Sequence, residues 1–165
     1  MNEVFNDDGT FRDSVFYRVL GESYIELAFR EAHKVDPEAK LYINDYDLDG
    51  PGPKIDAVLA LARKPKRRGV PIHGIGTQAH LTLGEADGVR SQLKRMASTG
   101  LDVAITELDI RIPKKVTKKK LAAQEVDYRT VFNACLAVHN CVGITIWGVV
   151  DKVCTRPGED MERRI

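Results

Sequence analysis

Residues 101–107 of this chain read Leu-Asp-Val-Ala-Ile-Thr-Glu, a largely apolar stretch of strand-forming residues that ends on a carboxylic acid. Comparable stretches lie at residues 40–46 (Lys-Leu-Tyr-Ile-Asn-Asp-Tyr), 71–76 (Pro-Ile-His-Gly-Ile-Gly) and 142–147 (Val-Gly-Ile-Thr-Ile-Trp). One segment with helical periodicity separates each stretch from the next. Strands that alternate with helices predict β-α-β units and a parallel sheet, so the predicted fold class is α/β.

The intervening segments complete this repeating pattern. Helices are predicted at about residues 13–35, within 55–69, at 85–98 and at 118–139, and Pro or Gly ends several of them. The opening Glu3-Val4-Phe5 is predicted to be the remnant of an earlier strand. The chain is therefore expected to contain four complete strands and one stub.

Composition sets limits on the partners of the chain. It has 165 residues, with 25 Lys and Arg against 24 Asp and Glu, and a formal net charge of +1. A charge so near zero provides no field that would attract nucleic acid or an anionic membrane. No apolar run approaches the roughly 18 residues of a membrane span, and the first residues lack the features of a signal peptide. We therefore expect neither a nucleic-acid nor a membrane partner.

Polar side chains follow the predicted strands at the points where the strands end. In a parallel α/β sheet these carboxyl ends meet at one rim, where functional groups collect. For any one of these residues, capping of the sheet is the commoner explanation, but it explains five polar strand ends together less well. The groups are Asn2 and Glu3, then Asn44, Asp45 and Tyr46, then Gln78 and His80, then Glu107 and Asp109, and finally Trp147.

Two of these residues, Glu3 and Glu107, are carboxylic acids that would face each other across a cleft. Alternation along the strand predicts that Glu107 and Asp109 share a face with Val103 and Ile105. Paired carboxylates suit glycoside hydrolysis, because one protonates the leaving oxygen and the other attacks the anomeric carbon. The pattern therefore favours an enzyme that acts on sugars.

Other side chains at the rim support or compete with this interpretation. Tyr46 and Trp147 suit sugar rings, whose C–H faces pack on aromatic planes. Taken alone, a tryptophan such as Trp147 is more often a core residue than a platform for sugar. His80 and His73 could be zinc ligands, but no third ligand lies at a metal-binding spacing.

The three cysteines leave the redox compartment undecided. Cys135 and Cys141 could form a short-loop disulfide, which needs an oxidising compartment, or all three thiols could be reduced. Their spacing alone does not choose between these states.

Five short blocks of the sequence resemble glycoside hydrolase family 10, the endo-β-1,4-xylanases. Residues 105–110 (Ile-Thr-Glu-Leu-Asp-Ile) are similar to the family's nucleophile motif. The resemblance implies a parallel (β/α)8 TIM barrel of which only the second half is present, with about four strands and a stub of strand 4. It divides the chain into a partial catalytic barrel at 1–152 and a polar, non-family tail at 153–165. The other blocks, in family order around the first, are Asn2-Glu3 with Phe5, 41–46, 74–81 and 143–149.

The resemblance implies a retaining double displacement on xylan or xylooligosaccharides. Glu107 matches the family nucleophile and Glu3 the general acid/base, which implies carboxyl groups about 5–5.5 Å apart. Asn2 matches the amide that binds the sugar 2-hydroxyl. His80 matches the imidazole that orients the nucleophile, with Asp109 as its partner. No cofactor and no metal are implied.

The resemblance also assigns supporting residues. It implies that Cys135 and Cys141 form the disulfide found in many family members, and that the full-length protein is secreted. It places four side chains in contact with substrate beside the scissile bond, namely Gln78, Tyr46, Asn44 and Trp147.

The chain departs from the family in length, since such a barrel takes about 250 residues. We expect open sheet edges, through which the chain could self-associate. Thr155 stands where a second family tryptophan is expected, and the tail is expected to be poorly ordered. Glu3 lies two residues from the positive amino terminus, which favours its ionised form over that of an acid. We therefore expect this chain, taken as truncated, to be weakly active or inactive alone.

Two other functions fit the same residues. A non-catalytic carbohydrate-binding or structural half-barrel would pair with another chain. A related β-1,4-glucanase would share the two-carboxylate layout and would prefer cellulose to xylan.

Overall fold

The computed structural model describes residues 1–148, apart from the side chains of residues 65–67. The predicted tail at 153–165, with Thr155, lies outside the described residues, so its expected disorder stays a prediction. In the described part, the strands form one five-stranded sheet that alternates with helices along the chain, and neighbouring strands in the sheet run parallel. This confirms the fold class that the alternation of strands and helices predicts.

The sheet is ordered around its longest strand, β4. One side of β4 pairs with β2 and then with β3, the other side pairs with β5, and β1 pairs with β2. Strand β3 was not predicted, because it has only three residues and no apolar pattern. Because β3 gives β4 a partner beyond β2, β4 extends past the predicted end at residue 107. The strands are β1 (Tyr42–Asp45), β2 (Gly74–Thr77), β3 (His80–Thr82), β4 (Asp102–Arg111) and β5 (Cys141–Ile146).

The helices occupy the predicted segments with one correction. The single helix predicted at 13–35 is wrong, because the segment forms two helices separated at Gly21. Ser14 caps the first by accepting a hydrogen bond from the backbone of Tyr17, and Gly21 ends it at φ 58°, in the region that favours glycine. The helices are α1 (Val15–Leu20), α2 (Ser23–Val35), α3 (Pro53–Arg67), α4 (Val89–Ala97) and α5 (Lys118–Leu136), with a 3-10 turn at Ala86–Gly88.

The two faces of the sheet differ in burial. Ile43, Ile75 and Ile105 belong to one continuous core with the apolar faces of the helices, and they are essentially inaccessible to solvent. The opposite face carries Asn44 and Thr106, which are only half-buried. These polar side chains lie on the face that the helices leave uncovered, and they lead to the rim where the candidate site lies.

The edges of the sheet are open in the described part of the chain. On the outer side of β1 the described pairing is one bridge, between Asn2 and Asn44. No described strand pairs with the outer side of β5. Large apolar side chains such as Val19 in α1 and Leu136 in α5 are exposed. No helix among residues 1–148 has the length and apolar character needed to cross a membrane.

Candidate active site

The amide of Asn44 lies at the centre of the polar rim. Its Oδ1 accepts a hydrogen bond from the Thr106 hydroxyl at 2.7 Å. This contact fixes the orientation of the amide, and Nδ2 therefore donates to Asn2 Oδ1 at 2.7 Å and to Glu107 Oε1 at 3.3 Å. Asn44 thus joins the stub to Thr106 and Glu107 of β4 through a single side chain.

Gly76 makes room for this central amide. A Cβ at Gly76 would lie 2.4 Å from Asn44 Oδ1 and 2.9 Å from Thr106 Cγ2, closer than van der Waals contact permits. The glycine is therefore needed for the close approach of β2 to the neighbouring side chains.

Glu3 is held by two donors, one on each oxygen. Gln78 Nε2 donates to Glu3 Oε1 at 3.1 Å and also to Asn2 Oδ1 at 3.3 Å. Arg12 Nη1 donates to Glu3 Oε2 at 2.6 Å. The backbone of Glu3 has φ 53°, uncommon for a residue with a side chain, and its N–H donates to the carbonyl of Asn44 at 2.8 Å. Backbone and side chain together fix the direction of this carboxylate.

The pKa of Glu3 lies below its ordinary value. Partial burial alone would raise this pKa, but hydrogen bonds from Gln78 and Arg12, the positive charge of Arg12 and a hydrogen bond from Asn2 together lower it. The direction agrees with the expectation of an ionised Glu3. The cause differs from the expected one, because Arg12 supplies the charge, while the ammonium group of Met1 donates to the carbonyl of Tyr42.

His80 lies between two carboxylates. Its Nδ1 is 2.9 Å from Asp109 Oδ1, and its Nε2 is 3.4 Å from Glu107 Oε2. The pairing of β3 with β4 places His80 opposite Asp109. Trp147 presents its ring edge-on to His80 with centroids 6.1 Å apart, and about half of the indole is exposed. Because the buried Asp109 carboxylate holds Nδ1, the other ring nitrogen of His80 is directed towards Glu107.

Tyr46 is anchored by two cations. Arg12 Nη2 donates to its hydroxyl at 3.2 Å, and Lys54 Nζ lies 2.9 Å from the centre of its ring. Lys54 also pairs with Asp45 at 3.0 Å, and both of these side chains are buried. Burial raises the pKa of Asp45, although hydrogen bonding and the charge of Lys54 act to lower it. The position of the Tyr46 ring therefore depends on a buried ion pair.

The predicted site residues come together through these contacts. A continuous path of hydrogen bonds and short ionic contacts connects Glu3 to Glu107 and continues to Asp109, while Tyr46 joins it through Arg12 and Trp147 packs against His80. The residues so joined are Asn2, Glu3, Asn44, Tyr46, Gln78, His80, Glu107, Asp109 and Trp147. His73 is remote from this path, because it accepts from the backbone of Leu41 at the opposite end of the sheet. The described residues contain no group of three side chains suited to a metal.

One predicted detail of the strand is wrong. Strict alternation predicts that Glu107 shares a face with Ile105 and that Thr106 points the other way. Thr106 and Glu107, adjacent in sequence, both contact the side chain of Asn44. The pairing of β4 with β5 shifts register between Ile105 and Leu108, and this irregularity interrupts the alternation. It turns Glu107 towards the rim.

Two residues of the site, Arg12 and Lys54, were not predicted from the sequence. Arg12 follows the turn formed by Asp8-Gly9, which brings Phe11 back beside Phe5 as an antiparallel bridge. An Asp-Gly pair is a strong reversal signal and could have placed Arg12 beside the stub. Lys54 lies in the first turn of α3, where a cation is disfavoured by the helix dipole. A lysine at this unfavourable position could have indicated a buried acidic partner.

Cys135 and Cys141 form a disulfide in the structure, with Cα atoms 5.3 Å apart. The bridge joins the last turn of α5 to the first residue of β5. It agrees with the pairing that the family resemblance implies. Because the bond closes a connection of only a few residues, it fixes the start of β5 against the preceding helix.

Comparisons with known proteins agree on one family. The sequence model described as "Glycosyl hydrolase family 10" matches residues 1–163, which extends into the predicted tail. An endo-1,4-beta-xylanase of Agaricus bisporus is 47% identical over 159 residues, covering 96% of this chain and 48% of that protein. Endo-1,4-beta-xylanase C of Phanerodontia chrysosporium is 47% identical over 154 residues, covering 92% and 39%. The chain spans about half the length or less of these curated relatives.

Solved structures show the same relation. An intracellular xylanase from Thermoanaerobacterium saccharolyticum superposes with a TM-score of 0.91 at 34% identity, covering 99% of this chain and 51% of that one. A glycosylated endo-beta-1,4-xylanase from Gloeophyllum trabeum gives a TM-score of 0.88 at 40% identity, covering 94% and 49%. The parallel sheet and its helices therefore correspond to about half of the barrel of these enzymes. With the family match over almost its whole length, the chain belongs to glycosyl hydrolase family 10.

Proposed function

We propose that this chain carries both catalytic carboxylates of a retaining endo-1,4-β-xylanase, with Glu107 as nucleophile and Glu3 as general acid/base. The observation that supports this most is the continuous path of hydrogen bonds from Glu3 through Gln78, Asn2 and Asn44 to Glu107, which connects the two carboxylic acids. The matched relatives are named endo-1,4-beta-xylanases. A relative of the same fold was solved in complex with xylotetraose.

In the proposed reaction the two carboxylates act in turn. Glu107 attacks the anomeric carbon while Glu3 gives its proton to the departing glycosidic oxygen, and a covalent xylosyl-enzyme forms. Glu3, now ionised, removes a proton from water, which attacks the anomeric carbon and releases Glu107. Asn44 and His80 each contact one oxygen of Glu107. They would hold the attacking carboxylate in line throughout.

The amide of Asn2 is suited to the sugar itself. Its Oδ1 accepts from both Gln78 and Asn44, and its Nδ2 group, which also serves Glu3 as a hydrogen-bond donor, belongs to an exposed side chain. An exposed amide donor beside two carboxylates fits a sugar 2-hydroxyl. Tyr46 and Trp147 would border the bound sugar on either side of this amide.

We propose weak or no activity for the 165-residue chain alone. The face of the sheet that carries Asn44 and Thr106 is only half-buried, and the Trp147 ring is half-exposed. Water would compete for the groups that must be desolvated in the transition state. The open edges favour self-association of the chain, which light scattering would detect. The disulfide supports an oxidising destination such as secretion.

The proposal is best tested by trapping the covalent intermediate, because this detects very slow turnover. A 2-fluoro xylobioside with a dinitrophenyl leaving group needs no acid in the first step and accumulates as the glycosyl-enzyme. We expect mass spectrometry to place one xylobiosyl adduct on the peptide that contains Glu107. Glu107→Gln should form no adduct, and Glu3→Gln should still form one. The exposed Glu125→Gln is the matched control and should label normally.

Other outcomes of this experiment favour the other candidate functions. An adduct on another residue would contradict the assignment of Glu107. Binding of xylotetraose without any adduct would favour a non-catalytic carbohydrate-binding chain. Faster labelling by the matching cellobioside than by the xylobioside would favour a β-1,4-glucanase.

A further inference from the structure

Backbone hydrogen bonds, and not only the ion pair between the two side chains, place Arg12 beside Glu3. Its N–H donates to the carbonyl of Val4 at 2.9 Å, and its carbonyl accepts from the N–H of Ser14 at 2.8 Å. The bridge between Phe5 and Phe11, with their rings 4.8 Å apart, holds the same segment from the preceding residue. The guanidinium therefore starts from a backbone that is fixed relative to the stub.

The guanidinium divides its donors between two site residues. Nη1 donates to Glu3 Oε2 at 2.6 Å, and Nη2 donates to the Tyr46 hydroxyl at 3.2 Å. The planar fork of arginine makes these two contacts in fixed relative directions, which a lysine ammonium cannot reproduce. Gln78 occupies the other oxygen of Glu3. Both oxygens of the carboxylate thus accept hydrogen bonds, an arrangement that suits the ionised form.

From this geometry we propose that Arg12 is a positioning residue for the reaction: it holds Glu3 as a carboxylate aimed into the cleft, and it links Glu3 to Tyr46. This rests on the proposed role of Glu3 as acid/base. In the second half of the reaction Glu3 must be ionised to take a proton from water, and the Arg12 contact favours that state. In the first half Glu3 must carry the proton, so the contact with Oε2 must weaken when substrate occupies the cleft.

Among residues 1–148, the other charged groups beside Tyr46 are paired with one another. Lys54 and Asp45 form the buried ion pair beneath Tyr46, and Asp7 lies 3.3 Å from Lys54. Glu107 is separated from Glu3 by the amides of Asn2 and Asn44. In the described part of the chain Arg12 is therefore the cation in direct contact with Glu3, and its replacement should act mainly on that carboxyl group.

The first test measures the titration of Glu3 directly by carbon NMR on glutamate-labelled chain, with the Glu3 signal assigned by its loss in Glu3→Gln. We expect Arg12→Gln to move the midpoint of Glu3 upward by roughly a few tenths of a pH unit, as for removal of a partly exposed ion pair. Arg12→Lys should give a smaller shift. Arg18→Gln, which removes the exposed pair with Asp13, is the matched control and should leave the midpoint unchanged.

The second test follows the pH dependence of reactivation of the trapped xylobiosyl-enzyme, in which Glu3 acts as base. Arg12→Gln should move the rise in reactivation rate to higher pH, in parallel with the NMR midpoint. Tyr46→Phe should change the titration midpoint of Glu3 less than Arg12→Gln does. A Glu3 midpoint in Arg12→Gln equal to that in Arg18→Gln would overturn the proposal, even if the variant were less stable. Failure of the trapping reaction would instead contradict the proposed function and leave the NMR test intact.

Discussion

Removal of the buried cation beneath Tyr46 should destabilise the chain strongly. Lys54 and Asp45 have side chains that are 3% and 0% exposed, with Nζ and Oδ1 3.0 Å apart. Lys54→Met keeps a long apolar side chain under the Tyr46 ring but leaves the Asp45 carboxylate without its cation. Breaking a buried pair by removing one partner costs about 3–5 kcal/mol. We expect a loss of that size in the free energy of unfolding at about pH 7.

The loss should depend on pH in a direction that the structure determines. Burial raises the pKa of Asp45 above its ordinary value of 3.8. A carboxyl group with a raised pKa in the folded state contributes stability at low pH that is lost as the pH rises through the folded pKa. Removing Lys54 removes a lowering influence, so this pKa rises further. The loss in Lys54→Met should therefore be smaller at about pH 4, where more of the carboxyl group is protonated.

Urea unfolding followed by far-UV circular dichroism, at both pH values, measures these effects. Lys64→Met is the matched control, because Lys64 lies on the same helix and forms an exposed pair with Glu22. An exposed pair contributes at most about 1 kcal/mol. If Lys54→Met lost no more stability than Lys64→Met, or lost the same amount at both pH values, the reasoning from the buried pair would be refuted.

Two further changes test the packing around the site. Gly76→Ala should lower the free energy of unfolding in urea by about 1–3 kcal/mol, because the new Cβ displaces Asn44. It should also reduce the rate at which the covalent intermediate is trapped. An unchanged trapping rate would contradict the central role of the Asn44 amide. Replacing Cys135 and Cys141 by Ser should cost about 2 kcal/mol of unfolding free energy, as expected for a short loop, and an equal melting temperature with and without the bond would contradict this.

The periodicity of apolar residues and the turn-forming residues predicted the strands and helices of the fold, because these elements depend on local sequence. The apolar stretches around Ile43, Ile75 and Ile105 form the buried face of the sheet because strand-forming residues and helical segments alternate regularly. The end of the predicted helix at 13–35 was placed well, but Gly21 divides it. A single glycine inside a helical pattern does not show from sequence alone whether it will adopt positive φ.

The candidate site was predictable to the extent that it depends on strand ends. Glu107 and Asn44 follow apolar stretches, and parallel pairing brings such residues to one rim. Arg12 and Lys54 reach the same rim from a turn and from a helix, so no strand-end pattern marks them. The irregularity at Thr106 also escaped, because it arises from the pairing of β4 with β5 and not from the sequence of β4.

The amide path between the carboxylates has a consequence for the stereochemistry of the proposed glycoside hydrolysis. Whether such a cleft retains or inverts configuration depends on the spacing of its two acids, about 5–5.5 Å against about 6.5–9.5 Å. In this chain neutral side chains, Asn44 with Asn2 and Gln78, join the two acids. Evolution or engineering could therefore change the stereochemical outcome by altering uncharged amides while leaving both carboxylates in place.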